Sequence, residues 1–188
     1  MEKIRVIVAS SNAHKIEEMS EMLPLFELVP MKNYYSGDIE ENGKTFKDNA
    51  LIKAKFIAEK FNIPAIADDS GLCVDALGGA PGIYSQRYSG GSDGDNRKLL
   101  LKNMENKRER TARFKCAVCL YFPDGKALFG EGACEGEILL SEEGQNGFGY
   151  DSLFYSYDLK KSFGNSSAEE KNSVSHRKRA ISDLKRQL

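Results

Sequence analysis

The sequence predicts an α/β protein built on a mixed β-sheet flanked by helices, and three observations carry that prediction. Apolar, β-branched runs such as Ile4–Ala9 interleave with stretches of helical period. Thr111–Ile138 has the form of a hairpin. No internal repeat, low-complexity tract or linker interrupts the 188 residues. A chain of this length folds as one domain spanning residues 1–188, or at most two lobes, with enough interior for a proper core.

Taken in order, Ile4–Ala9 reads as a buried strand. It runs into Ser10-Ser11-Asn12-Ala13-His14-Lys15 and then a helix with Ile16, Met19 and Leu23 on one face. Phe26–Val29 reads as a second strand, followed by irregular chain through Asn42. Thr45 and Asp48 have capping-box spacing, and the helix they open sets Phe46, Ala50, Ala54, Ile57, Ala58 and Phe61 at helical period, with Lys53 on one flank. Pro64 introduces a short buried strand that ends at Asp68-Asp69-Ser70-Gly71, a sequence that is also good turn chemistry. Glycine loops at 78–82 and 90–94 precede a helix expected from about Asp95 to Lys107. Thr111–Phe122 and Ala127–Ile138 flank the turn Pro123-Asp124-Gly125-Lys126. A last helix from about Ser175 is expected to pack Ile181, Leu184 and Leu188.

Composition excludes several classes. Lysine plus arginine number 27 against 28 acidic residues, a net charge of −1, so nothing draws the chain as a whole toward nucleic acid or an anionic membrane. No apolar run approaches the roughly 18 residues of a membrane-spanning helix, and the N-terminus lacks a signal-peptide core; a cytoplasmic protein with neither membrane nor nucleic-acid partners is the expectation. Cys116 and Cys119 form a C-x-x-C, but an odd separation on a strand sends the thiols to opposite faces, where they cannot share a metal. All four cysteines read as small buried hydrophobes in a reducing compartment.

The chemistry-bearing segments are scattered. Asp68 and Asp69 side by side repel one another unless a positive charge is near, and Mg²⁺, which takes one or two carboxylates plus phosphate and water oxygens, is the usual remedy. The loop Ser10–Lys15 between strand and helix suits an anion; an ordinary capped βα loop explains it equally well. Gly37–Thr45 mimics a phosphate-binding P-loop but fails. Five residues rather than four separate its glycines, and Asp38, Glu40 and Glu41 would repel a triphosphate. The same acidity suits a cation. Phe148 between glycines is an aromatic on a bare loop, as base stacking needs, or else a plug into the core. Lys171, His176 and Arg177 put positive charge near a helix start. No Ser/His/Asp or Cys/His nucleophile set accompanies these parts, which points to attack by water rather than a covalent intermediate.

Five separated motifs resemble, in order and over nearly the whole chain, the inosine/xanthosine triphosphate pyrophosphatase family: Ser10–Glu18; Glu41–Ala54; Ala67-Asp68-Asp69-Ser70-Gly71-Leu72 with Leu77–Ser85; Gly147–Asp151; and Lys171 with Ser175-His176-Arg177. The resemblance implies a two-lobed α/β fold with the active site in the cleft between lobes, a homodimer, and Mg²⁺-dependent hydrolysis of ITP, dITP and XTP to the monophosphate and pyrophosphate. Carried over, Glu41 and Asp69 hold Mg²⁺. Asp69 takes the proton of the attacking water, with Asp68 in support. Ser10, Ser11, Asn12, Ala13, His14, Lys15, Lys53 and Ser70 bind phosphates and sugar. Phe148, Gly149, Tyr150, Asp151, Lys171, His176 and Arg177 shape the base pocket. Two positions depart from the family pattern: Glu143 stands where arginine is frequent, and Ser152 where proline is. The alternatives are a pyrophosphatase for dTTP or a modified pyrimidine nucleotide, and a nucleotide- or RNA-binding module.

Overall fold

A computed structural model describes residues 3–188. Its elements are β1 (Ile4–Val8), α1 (Ala13–Met22), β2 (Phe26–Pro30), α2 (Phe46–Phe61), β3 (Ala65–Val74), α3 (Asp93–Asn103), β4 (Thr111–Tyr121), β5 (Ala127–Ile138), β6 (Phe154–Ser156), β7 (Lys161–Ser162), α4 (Ala168–Val174) and α5 (His176–Lys185), joined by short 3₁₀ turns. The strands hydrogen-bond in the order β2-β1-β3-β4-β5-β6-β7. β1 pairs in parallel with β2 and β3, whereas β5–β6 and β6–β7 are antiparallel, so the sheet is mixed as expected.

The chain divides into two compact units. One comprises the chain through Asp69, Cys116–Gly132 and Arg179–Leu188; the other, Ser70–Lys115 and Ala133–Lys178. In the first unit, successive residues of β1 leave on opposite faces, and both faces are covered. Val6 and Val8 join Met19 and Leu23 of α1 and Ile181 and Leu184 of α5. Ile7 and Ala9 join Ala50, Ala54 and Ile57 of α2. A strand buried on both faces has no polar side to alternate with, which is why Val6–Ala9 reads as an unbroken apolar run after the exposed Ile4 and Arg5. Cys116 belongs to the first of these clusters and Cys119 to the second, the opposite-face placement that their spacing demands.

The second unit has one core cluster. Leu72 and Val74 of β3, Leu100 of α3, Phe114 of β4 and Ile138 of β5 surround it with Leu153, Phe154 and Phe163. Phe114 lies 4.7 Å, centre to centre, from Phe154.

Three expectations need correction. The strand after Pro64 does not stop at the carboxylates; β3 continues to Val74 with Asp68 and Asp69 buried in its middle. Leu72, Cys73 and Val74 are buried too, and that tertiary burial overrides the turn preference of Asp-Asp-Ser-Gly. α3 starts at Asp93, capped by Ser92, and ends at Asn103 rather than Lys107. The last helix, α5, starts at His176 as expected, and the short α4 that precedes it, with Ser175 at its end, is not among the expected elements. Leu188 lies beyond α5 and is exposed, so only Ile181 and Leu184 pack.

Candidate active site

In the first unit three elements bring charged groups together. β3 presents Asp68 and Asp69, both almost fully buried. The loop after β1 is braced by its own side chains: Ser10 Oγ accepts from the Asn12 N–H (3.1 Å), and Asn12 Oδ1 accepts from the N–H groups of His14 (3.0 Å) and Lys15 (3.3 Å). This is an ordinary N-cap, and it aims Lys15, on the first turn of α1, so that its Nζ lies 3.2 Å from Asp68 Oδ2. Ser11, Ala13 and His14 are exposed on the same turn, and Ser10 is half-buried.

α2 supplies the second cation. The capping box forms as its spacing predicts, with Thr45 Oγ1 accepting from the Asp48 N–H and Asp48 Oδ2 from the Thr45 N–H, each at 3.1 Å. Asn49 and Lys53, four residues apart, then share one side of the helix. The Lys53 ammonium pairs with Glu41 of the acidic loop. Asn49 is fully buried and bridges two segments: its Oδ1 accepts from the Gly43 N–H and its Nδ2 donates to Asp69 Oδ2, both at 2.9 Å. A Cβ on Gly43 would sit 2.6 Å from Asn49 Oδ1, so the bridge requires glycine there.

The electrostatics follow. Burial pulls the Lys53 ammonium down, but Asp68, Glu41 and Asp69 together outweigh it and hold it above the ordinary lysine value. Burial pushes the Asp69 carboxyl up; Lys53 and the Asn49 hydrogen bond oppose this, and Glu41 adds to it. The set is therefore a protonated lysine among carboxylates, one of which is more basic than a free aspartate. Glu41 and Asp69 are hard oxygen donors in numbers that suit Mg²⁺, which takes one or two protein carboxylates and completes its shell with phosphate and water. Among the described residues no group of three or more His, Cys, Asp and Glu side chains forms a closed metal cage.

The second unit holds the remaining candidates. Lys171 on α4 is buried and donates to Asp151 Oδ2 (2.8 Å); the same oxygen accepts from the Phe148 N–H (2.9 Å), and Lys171 Nζ lies 4.4 Å from the Phe148 ring centre. Phe148 is half-buried, neither bare on its loop nor a core plug. Tyr150 is a core residue whose hydroxyl donates to the Ser85 carbonyl (2.7 Å), so it anchors the loop. His176 stacks on Phe114 at 5.0 Å and 16°. Arg177 is almost wholly buried and its Nη2 lies 3.3 Å from Ser70 Oγ.

Sequence reasoning assigned no role to Asn49. The available signal was a polar residue beside Ala50 on the buried face of α2, one helical turn before Lys53.

The fold and these clusters define an α/β protein with a buried carboxylate–lysine centre, a chemistry suited to phosphate and metal. The chain belongs to the Ham1 family, whose model matches residues 6–187. It is 44% identical over 185 residues to a dITP/XTP pyrophosphatase of Desulfotalea psychrophila, covering 96% of this chain and 83% of that one. It is 43% identical to the dITP/XTP pyrophosphatase of Haemophilus influenzae, covering 99% and 100%. Among solved structures it is similar to the Staphylococcus aureus Ham1 protein, with a TM-score of 0.90, 39% identity and 97% of each chain covered.

Proposed function

We propose that this chain hydrolyses deaminated purine nucleoside triphosphates (ITP, dITP and XTP) to the monophosphate and pyrophosphate, removing them from the nucleotide pool. The observation that carries the reading is the buried pair Asp68–Asp69 with Lys15 and Lys53 beside it, in a chain whose curated relatives are dITP/XTP pyrophosphatases.

Each residue then has a task. Asp69 takes the proton of the water that attacks the α-phosphorus; its burial makes the carboxylate a stronger base, and Asn49 fixes its rotation. Asp68 supports it and orients Lys15. Lys53 stays protonated and, with Lys15, stabilises negative charge that grows on the phosphates in the transition state. Glu41 and Asp69 are the residues that would hold Mg²⁺, which supplies charge neutralisation at the triphosphate when bound. Lys171, His176 and Arg177 are the donors assigned to a 6-oxo purine. An amino group at position 6 would set donor against donor, which is how adenine is refused. Magnesium dependence, a homodimeric state and a cytoplasmic location belong to the same proposal.

One assay tests the reading. Pure protein is incubated with ITP, XTP, GTP, ATP and dTTP, with and without Mg²⁺, and pyrophosphate and orthophosphate are both measured. Pyrophosphate from ITP and XTP, dependent on Mg²⁺, is the expected result. Orthophosphate would place cleavage at the γ-phosphate, turnover of dTTP alone would point to a pyrimidine nucleotide, and no release would favour a binding module. Light scattering gives the oligomeric state, and a monomer would remove the dimer from the proposal.

A further inference from the structure

Phe148 sits between two glycines, Gly147 at φ +77° and Gly149 at φ +59°, both in the left-handed region. Neither glycine has a side chain to pack, so the loop that carries the ring is held through its backbone, with Lys171 over the ring itself. α3 supplies them. Asp93 and Arg97 lie one helical turn apart and hold both polar groups of Gly149: Asp93 Oδ2 accepts from its N–H (3.1 Å), and Arg97 Nη1 donates to its carbonyl (2.9 Å). Arg97 Nε is in turn 3.0 Å from Glu142 Oε2, which also accepts from Ser152 Oγ (2.9 Å). Asp151 holds the Phe148 N–H from the other side. A cavity of about 370 Å³ opens among Asp93, Arg97, Glu142, Phe148 and Ser152. Ser152 is one of the two departures from the family pattern, and proline there would have no hydroxyl for Glu142.

We infer that Asp93 and Arg97 are positioning residues for base selection: through Gly149, with Glu142 and Ser152 behind Arg97, they set the Phe148 ring against which the purine is read. The inference rests on the pyrophosphatase reading above for its substrate, but not for the clamp itself. Arg97 hydrogen-bonds the carbonyl through Nη1 and forms an ion pair with Glu142 on its Nε side, so lysine at 97 keeps charge but has one ammonium for the two positions.

Two measurements test it. The chain has no tryptophan, so Phe148→Trp places a single tryptophan on the loop, excited at wavelengths that tyrosine does not absorb. Adding Arg97→Met should raise the acrylamide quenching constant about twofold as the ring gains solvent access; an unchanged constant overturns the clamp, whether or not the protein turns over ITP. In the parent chain, Arg97→Met should raise KM for ITP about tenfold, roughly 1.4 kcal/mol, and narrow the ITP-over-GTP ratio, with kcat within about threefold. Arg97→Lys should recover part of both losses. A loosened loop with unchanged KM and ratio overturns the specificity role, as does an equal fall of kcat on every nucleotide together with a lowered Tm. Failure of the unmutated protein to release pyrophosphate from ITP refutes the substrate reading and with it the specificity role, while the quenching arm still decides the clamp.

Discussion

Replacing Lys53 by methionine keeps the length of the side chain and removes its charge from among Glu41, Asp68 and Asp69. Leaving buried charges uncompensated costs about 3–5 kcal/mol. The side chains of Lys53 and Glu41 keep 13% and 21% of their exposure, so some water reaches the pair and the lower figure applies, about 3 kcal/mol. In a chain of this size each kcal/mol moves Tm by roughly 2–4 °C, which predicts a fall of about 6–12 °C near pH 8. The pH dependence has a definite sign. Burial already holds the Asp69 carboxyl above its ordinary value, and Lys53 is the largest influence lowering it; without that lysine it rises further. A carboxyl raised in the folded state favours folding where it is protonated, and that advantage is lost as pH climbs through its folded value. The deficit of the variant should therefore shrink as the melt is moved from about pH 8 toward about pH 5. Adding Mg²⁺ near pH 8 should restore part of the loss, about 1.4 kcal/mol at tenfold its Kd, because the ion returns positive charge to the carboxylates. Thermal melts by circular dichroism at both pH values, with and without Mg²⁺, measure all of this. A Tm within about 2 °C of the parent near pH 8, or an equal drop at both pH values, would refute the picture of Lys53 as the cation that makes this carboxylate cluster tolerable.

The other predictions concern the proposed chemistry and the core. Asp69→Asn should fold, by circular dichroism, and lose on the order of 10²-fold or more in turnover of ITP; near-parental turnover would remove Asp69 as the base. His176→Ala should erode discrimination between ITP and ATP more than it slows ITP hydrolysis, and it should also lower Tm because the ring stacks on Phe114. Equal losses on both nucleotides would leave His176 with packing alone. Burial pushes the Cys119 thiol up to about 12, so only about one part in ten thousand is thiolate near pH 8. All four cysteines are buried, and a thiol reagent should titrate them slowly in the native protein and all at once in denaturant. Rapid native labelling of Cys119 would contradict its place in the core.

Much of the fold is legible because its signals are local. The period of α2, the Thr45–Asp48 capping box and the β4–β5 hairpin are written in neighbouring residues, and the structure forms each of them. The opposite faces of Cys116 and Cys119 follow from strand geometry alone. β6, β7 and α4 are illegible because three, two and seven residues are too few to show a period. The misread end of β3 is more instructive. Asp-Asp-Ser-Gly has turn chemistry, and nothing within ten residues says otherwise; what keeps it in a strand is burial, together with Lys15 arriving from α1 and Lys53 from α2. A strand interior can carry paired carboxylates only when distant segments bring cations to them, and sequence distance hides that condition.

The same reasoning separates the kinds of residue at the candidate site. Glu41, Asp68, Asp69, Lys15 and Lys53 carry charges that must be neutralised somewhere, so their types alone invite a search for partners. Asn49 and Arg97 carry no such invitation. An asparagine on a helix and an arginine on a half-exposed face each have many ordinary explanations, and only the folded chain shows that Asn49 ties Gly43 to Asp69 or that Arg97 reaches Gly149 from 52 residues away. Residues that act by holding another group are defined by that group's position, which composition does not encode. The phosphate-handling half of the proposed site is thus largely readable from charge. The placement of the Phe148 loop depends instead on backbone hydrogen bonds, and there Ser152 in place of proline has a direct consequence: it gives Glu142 a hydroxyl partner, and Glu142 pairs with Arg97.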